Sequence, residues 1–246
     1  LAELIKKPDA DYIEAHLEEN SSTYISYRGK EMDSIGRTSS AGGNVRALVK
    51  GGWGFVSFNN LNNLSVWVER AVEQAKLASS NKAELAPVEA VVDKALEYAI
   101  NDPTILPLAE KKRLLDEYNG IIWSVPKIQT SVISYGDGHK NSIFLSSSGS
   151  YVQQERADVT LRLAAVSANN DDVQQIGLSV GSRGEFNEVR GLQEQIENLS
   201  RNAVALLAAP RVKGGEYSIV LDPVLAGVFV HEAFGHLSES DFIYEN

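Results

Sequence analysis

The sequence contains no cysteine, so no disulfide framework and no thiolate ligand or nucleophile exists within its 246 residues. Only 7 prolines and no low-complexity tract occur, which excludes a disordered or fibrous chain. No apolar run reaches the ~18 residues that cross a bilayer, and the opening LAELIKKPDADYIE lacks the basic-then-apolar order of a signal peptide. We therefore expect a globular, cytoplasmic protein without a membrane partner.

Positive charge is also scarce. The 23 Lys and Arg residues are outnumbered by 33 Asp and Glu residues, which gives a formal net charge of −10. Nucleic-acid binding needs basic surface that neutralises phosphates. We therefore expect no nucleic-acid partner, and a regulator acting on DNA finds little support.

The first half of the chain is rich in short alternating patterns that are typical of strands. Gly29-Lys30 and Gly51-Gly52 predict hairpin turns, because glycine accepts the backbone conformations that such turns need. Gly136-Asp137-Gly138 and Ser147-Ser148-Gly149 predict two more turns by composition. Strands are predicted on either side of these turns, over residues 127–135, 141–146 and 151–167, and another over residues 174–182.

Helical spacing of apolar residues predicts helices over residues 64–80, 108–118 and 187–208. A short strand at 214–222 and an apolar helix at 224–235, opened by Pro223, complete the pattern. The fold class predicted is α+β, with mostly antiparallel sheets and flanking helices. We divide the chain into an N-terminal hairpin and helix domain at residues 1–86, a middle α+β domain at 87–212 and the start of a third domain at 213–246.

The chemistry-bearing motif is HEAFGH, in which His231, Glu232 and His236 form an HExxxH arrangement. Zinc favours imidazole and carboxylate ligands, and a catalytic site keeps one position for water. A glutamate that is not a ligand can take the proton from that water.

The spacing of this motif is unusual for a helix. Residues five apart lie about 140° apart around an ideal α-helix, so the imidazoles of His231 and His236 converge only if the helix distorts or ends between them. Gly235 is the residue most able to permit this. On the motif alone, a metal site and two ordinary helix histidines both remain open.

The surrounding run GEYSIVLDPVLAGVFVHEAFGHLSESD resembles the signature of the TldD/PmbA family, described as modulators of DNA gyrase and as zinc metallopeptidases. A second segment, GGNVRALVKGGWGFVSFNNL followed by VERAVEQAKLAS, is similar to the N-terminal hairpin and helix of that family. Two matches in the family's order are more specific than either one. The resemblance covers nearly the whole chain and corresponds to the N-terminal half of a typical member.

The resemblance implies that His231 and His236 are zinc ligands and that Glu232 is the general base. It implies a third ligand, a cysteine in the C-terminal region, which these residues do not contain. Because the chain begins at Leu1 and stops shortly after the motif, we expect an N-terminal fragment that is inactive alone. The family further implies a peptidase acting on small or unfolded peptides, working as a homodimer or as a heterodimer with a paralogue.

A different class of function also stays open. In this alternative the chain is a non-catalytic interaction or binding subunit of a dimeric complex, and its hairpins bind a partner while the histidine pair is vestigial. A cysteine downstream in the natural protein favours the enzyme, and its absence favours the binding subunit.

Several other residues invite a functional interpretation that the sequence does not support. His16 and His139 are interpreted as surface and turn residues, and KGGWGF as a turn, since it lacks the Gly-Lys-Ser/Thr ending of a phosphate loop. Ser179 lies in a G-x-S-x-G pattern, but no helix follows it directly, as a nucleophile elbow requires. For Glu239 and Asp241, just after the motif, two interpretations stay open: they accept hydrogen bonds from the imidazoles, or they simply face water.

Overall fold

The computed structural model describes residues 3, 5, 6, 9–78, 85–96, 101–239 and 241. The chain forms two compact units, residues 1–209 and residues 210–246. The first unit is built on one large sheet, and the second contains the histidine motif.

Seven strands form the sheet of the first unit, in the order β3-β2-β1-β5-β6-β4, with β7 also paired to β6. The pairs are antiparallel except that between β4 and β6. Strands β4 and β7 share one edge of β6, because β5 occupies the other edge along nearly its whole length. The strands are β1 (Tyr12–Arg28), β2 (Glu31–Val49), β3 (Gly52–Phe58), β4 (Val92–Leu96), β5 (Ile128–Ser146), β6 (Tyr151–Ala168) and β7 (Val173–Arg183).

Two tight turns shape the first half of the sheet, as the sequence predicts. Gly29-Lys30 connects β1 to β2, with Gly29 at φ 65°. The second turn lies one residue earlier than predicted, at Lys50-Gly51, where both residues have positive φ, and Gly52 already begins β3. Positive φ at both central positions is the geometry that suits the twist of a two-residue hairpin.

Three helices cover one face of the sheet. Helix α1 (Leu64–Leu77) packs on the end formed by β1, β2 and β3, while α2 (Leu108–Ser124) and α3 (Gln193–Leu206) pack on the other end. Each end therefore has its own apolar core, and the opposite face of the sheet carries no helix among the described residues of this unit. No helix within the described ranges is long and apolar enough to cross a membrane. The predicted α+β class with a mostly antiparallel sheet and flanking helices is confirmed.

The turn predicted at Gly136-Asp137-Gly138 is wrong, because β5 runs straight through this segment. Asp137 is held in the core, where its carboxylate accepts hydrogen bonds from Lys111 Nζ at 2.6 Å and from the Tyr135 hydroxyl at 2.6 Å. A Cβ added at Gly138 would lie 3.1 Å from the carbonyl oxygen of Ser21. Here glycine allows two strands to approach closely instead of turning the chain.

Two further predictions are corrected. The helix predicted over 187–208 begins only at Gln193, because residues Phe186–Val189 form a 3₁₀ turn and Gly191 follows at φ 72°. The strand predicted at 214–222 does not form. The described residues of the second unit include no other strand that could accept its backbone hydrogen bonds, and a lone strand leaves them unmade.

The proposed division at residue 86 stays a prediction. Residues 79–84, which include part of the predicted connection, lie outside the described residues. The sheet itself crosses this boundary, since β1 pairs with β5 over Glu14–Arg28 and Val132–Ser146.

The ion pair between Lys111 and Asp137 predicts a stability difference. Their side chains are 0% and 1% exposed, so Lys111→Met leaves a carboxylate buried without its cation, which costs about 3–5 kcal/mol of unfolding free energy. Urea denaturation measures this cost. Lys112→Met is the matched control, because Lys112 pairs with Asp116 at the surface, and such pairs contribute about 0–1 kcal/mol. An equal loss of unfolding free energy in the two variants would contradict the stabilising role of the buried Lys111–Asp137 pair.

Candidate metal centre

The second unit has a helix that begins at Asp222 and Pro223. The Asp222 side chain accepts a hydrogen bond from the backbone N–H of Leu225 at 2.7 Å, which satisfies one free donor of the first turn. Pro223 occupies the first helical position, where a missing N–H costs nothing. The helix α4 (Pro223–Val230) therefore starts where the sequence predicts.

The α-helix changes to a π turn at the first histidine. Residues His231–Gly235 form this turn, and the backbone N–H of His236 donates to the carbonyl of His231. This bond joins residues five apart, whereas an α-helix joins residues four apart. A 3₁₀ turn at His236–Ser238 then ends the helical segment.

The π turn brings the functional groups of HEAFGH together. The ring centroids of His231 and His236 lie 4.5 Å apart in an edge-to-face arrangement, and Nε2 of His236 lies 3.8 Å from Oε2 of Glu232. One donor atom from each of the three residues falls within 4.8 Å of the others. The distortion that the spacing of five requires is therefore present.

Gly235 matters for the π turn because it lacks a side chain, and not because its backbone adopts an unusual conformation. Its φ and ψ of −57° and −52° are ordinary helical values. A Cβ added there would lie 3.2 Å from Nδ1 of His231, which is closer than side chains usually tolerate. The absence of a side chain thus leaves room for the His231 ring beside the next turn.

Glu239 orients the second histidine. Its Oε1 lies 2.7 Å from Nδ1 of His236, so this carboxylate holds one ring nitrogen and leaves Nε2 directed toward Glu232. Carboxylate partners of this kind fix the ring orientation and tautomer of metal-binding histidines. Asp241, the other acidic candidate, also interacts with its surroundings.

The three donor side chains of the motif are exposed. The His236 side chain is 50% exposed and that of Glu232 is 64% exposed. The apolar residues of α4 and the turn after it are exposed as well, including Leu225, Phe229 and Phe234. These donors are therefore grouped but not enclosed, and enclosure strengthens electrostatic chemistry.

The remaining candidates lie in the sheet of the first unit. His16 is in β1, where Nε2 lies 3.4 Å from Oε1 of Glu14 and the ring packs against Phe144. His139 lies inside β5 and not in a turn, so that prediction is wrong, and Ser179 lies in the middle of β7. A serine within a strand has none of the strand-to-helix geometry of a nucleophile elbow.

Sequence reasoning missed a polar network at the start of β1. The Glu14 carboxylate is only 8% exposed and lies 2.6 Å from Arg46 Nη2, and it accepts a hydrogen bond from the Tyr12 hydroxyl at 2.8 Å. Burial and this carboxylate raise the pKa of Tyr12 to about 12. Alternation of Tyr12, Glu14 and His16 along one strand face was the available signal.

Two segments match known families. Residues 14–76 match the PmbA/TldA metallopeptidase domain 1, and residues 101–209 match the PmbA/TldA metallopeptidase central domain. A metalloprotease of Synechocystis is 36% identical over 250 residues, covering 100% of this chain and 54% of that protein. A metalloprotease of Methanothermobacter thermautotrophicus is 33% identical over 211 residues, covering 83% of this chain and 45% of that protein.

Solved structures share the fold at low sequence identity. A candidate modulator of DNA gyrase from Bacteroides thetaiotaomicron superposes with a TM-score of 0.72 at 15% identity, covering 95% of this chain and 55% of that one. TldE from Thermococcus kodakarensis superposes with a TM-score of 0.65 at 18% identity, covering 83% of this chain and 47% of that one. The chain thus spans about half the length of the relatives it matches.

The role of Gly235 is testable with a matched pair of glycines. Gly235→Ala adds a methyl group 3.2 Å from Nδ1 of His231 and displaces that ring, whereas a Cβ at Gly227 in α4 meets nothing within 4 Å. We expect Gly235→Ala to weaken zinc binding by about tenfold, comparable to the loss of an orienting partner. Gly227→Ala leaves the affinity unchanged. Competition with a zinc-sensitive dye measures both, and equal affinities for the two variants would refute the steric role.

Proposed function

Because the chain belongs to the PmbA/TldD metallopeptidase family, we propose that it contributes to a zinc-dependent peptidase that acts on small or unfolded peptides. In this proposal His231 and His236 bind the metal and Glu232 is the general base. The observation that carries it is the π turn, which gathers two imidazoles and a carboxylate from consecutive turns of one helix.

The donor set fits a zinc ion in its chemistry. Two zinc-bound nitrogens lie about 3.4 Å apart when each Zn–N bond is roughly 2.0–2.1 Å in a tetrahedron. The donor atoms here lie within 4.8 Å of one another, so small side-chain rotations bring them to that separation. Bound zinc would supply a Lewis acid that acidifies water and polarises a peptide carbonyl.

Glu232 would accept and then donate the proton of the attacking water. Its carboxylate lies beside Nε2 of His236, at 3.8 Å, and is exposed enough to reach a water molecule. It takes a proton from that water as the peptide carbonyl is attacked, and then passes the proton to the departing amine nitrogen. Glu239 keeps the His236 ring in place during these steps through its contact with Nδ1.

Two imidazoles alone hold zinc weakly, because catalytic zinc sites normally have three protein ligands. These 246 residues contain no cysteine. The resemblance to the family implies a cysteine as the third ligand, so we propose that residues outside these 246 supply it and that this chain is inactive on its own. The exposure of the donors and of α4 agrees with a site that other residues complete.

The assembly and location are part of the same proposal. We propose a dimer, either of identical subunits or with a paralogue, working in the cytoplasm. TldE of Thermococcus kodakarensis shares the fold, which supports paralogues of this architecture as partners. The alternative is a binding subunit without catalysis, and it is favoured by the exposure of all three donor side chains, because catalytic electrostatics gain strength from enclosure.

The first test is metal content, measured by mass spectrometry on the protein at its natural length. We expect about one zinc per chain, as in a mononuclear catalytic site, and its loss in His236→Ala. His139→Ala is the control, since His139 lies in β5 of the first unit. No zinc in either protein after reconstitution would leave only the binding-subunit alternative.

The catalytic role of Glu232 requires a variant that keeps the metal. Glu232→Gln preserves size and removes the base, so we expect zinc content to stay and cleavage of an unfolded peptide to fall by about 10²–10⁴-fold. Glu216→Gln, an exposed glutamate of the same unit, serves as the control. Undiminished cleavage by zinc-loaded Glu232→Gln would overturn the assignment of the base.

A further inference from the structure

Part of β2 forms a free edge of the sheet. On one side, β2 pairs with β1 along its whole length. On the other side, β3 pairs only with residues Gly43–Val49. No described strand pairs with residues 31–41 on that side, which we call the free edge. Unpaired strand edges are templates for another extended chain.

The direction of the backbone groups at this edge follows from two hydrogen bonds. Ser147 N–H donates to the carbonyl of Ile13, and Gly29 N–H donates to the carbonyl of Ser131, both at 2.7 Å. Odd-numbered residues of β1 therefore face β5, and even-numbered ones face β2. Ser39 lies opposite Ser21, so the N–H and C=O of Ser39 point away from β1.

Grooves lie on both faces beside the same stretch. The groove on the helix-free face is about 610 Å³ and is lined by Phe55 and Arg46, among others. The groove on the helix-covered face is about 480 Å³ and is lined by Glu19, His139 and Ser39. Both are bounded by Ser40 and Ala41 of the free edge, whose small side chains leave the grooves open.

We propose that the free edge of β2 binds an extended polypeptide as an additional strand, with its alternate side chains entering the two grooves. Successive side chains of a strand point to opposite faces, which matches a groove on each face. In strand addition the main-chain hydrogen bonds supply affinity and the side-chain pockets supply selectivity. Recognition through the backbone suits an unfolded segment of varied sequence.

The groove residues indicate the chemistry of the bound segment. Phe55 is 55% exposed, so an apolar side chain gains burial in the groove on the helix-free face. Arg46 in that groove is already paired with Glu14. In the opposite groove, Glu19 makes no ion pair with any residue that the structure describes, so a lysine or arginine side chain is favoured there. The net charge of −10 also attracts a basic segment.

This inference rests on the proposed function in one respect: it takes the bound segment to be a substrate of the proposed peptidase. Binding at the edge involves none of the groups of the metal centre. It can therefore be measured on the 246-residue chain with a chelator present, and in Glu232→Gln. Loss of peptidase activity and loss of edge binding are distinguishable results.

The probe is a fluorescein-labelled peptide about eight residues long, roughly the length of a strand, in which valine alternates with lysine. Ser39→Pro removes the outward N–H and places a ring at the free edge, while the β1–β2 hydrogen bonds stay intact. We expect fluorescence anisotropy to give a dissociation constant about tenfold higher for this variant, since main-chain hydrogen bonds are lost.

Ser179→Pro is the matched control on a second free edge. Gly184 N–H donates to the carbonyl of Ala157 at 2.9 Å, so even-numbered residues of β7 face β6 and Ser179 faces outward. We expect its peptide affinity to equal that of the unaltered protein. Thermal unfolding of both variants identifies any general loss of stability, and a Ser39→Ala variant retains the N–H and should bind normally.

Charge selectivity gives a second measurement that does not depend on proline. Glu19→Gln should lower the affinity for the lysine-containing peptide several-fold. It should not change the affinity for a peptide that has serine in place of lysine. Equal affinity of Ser39→Pro and unaltered protein would overturn the proposal, as would a greater loss in Ser179→Pro. Sedimentation that finds a dimer dissociated by Ser39→Pro, without peptide binding, would assign the edge to a second copy instead.

Discussion

The hydrogen bond from the backbone N–H of His236 to the carbonyl of His231 determines the geometry of the candidate site. It closes a helical turn over five residues, and this places two imidazoles on the same side of the helix although an α-helix would set them about 140° apart. Gly235 leaves space for one ring and Glu239 holds the other. The proposed roles of Glu232 and of zinc follow from that convergence, because neither imidazole alone makes a metal site.

The two faces of the sheet in the first unit differ in what covers them. Helices bury one face at both ends, and the Lys111–Asp137 pair lies within the core under α2. The free edge of β2 has a groove on each face, with Phe55 lining one and Glu19 the other, and the small residues Ser40 and Ala41 lie between them. A sheet that is backed by helices and unpaired along part of β2 suits the binding of an extended chain, and an unfolded peptide is the substrate of the proposed peptidase.

Local patterns in the sequence were sufficient for much of the fold. Gly29 and Gly51 marked the hairpins, and the apolar spacing marked α1, α2 and α4. The pattern failed where tertiary contacts decided the outcome. Asp137 between two glycines has the composition of a turn, but Lys111 from a distant helix holds it inside a strand. For the site, HEAFGH gave the residues and the need for distortion. The sequence spacing does not reveal that the distortion is a π turn, or that Gly235 leaves room for the His231 ring. Both depend on how the atoms pack.

We propose that His231 and His236 bind one ion through the π turn. X-ray absorption at the zinc edge tests it most directly, because the spectrum counts imidazole ligands. We expect two imidazoles in the zinc-loaded protein and one in either His231→Ala or His236→Ala. A single imidazole in the unaltered protein, unchanged when one of these histidines is removed, would contradict it.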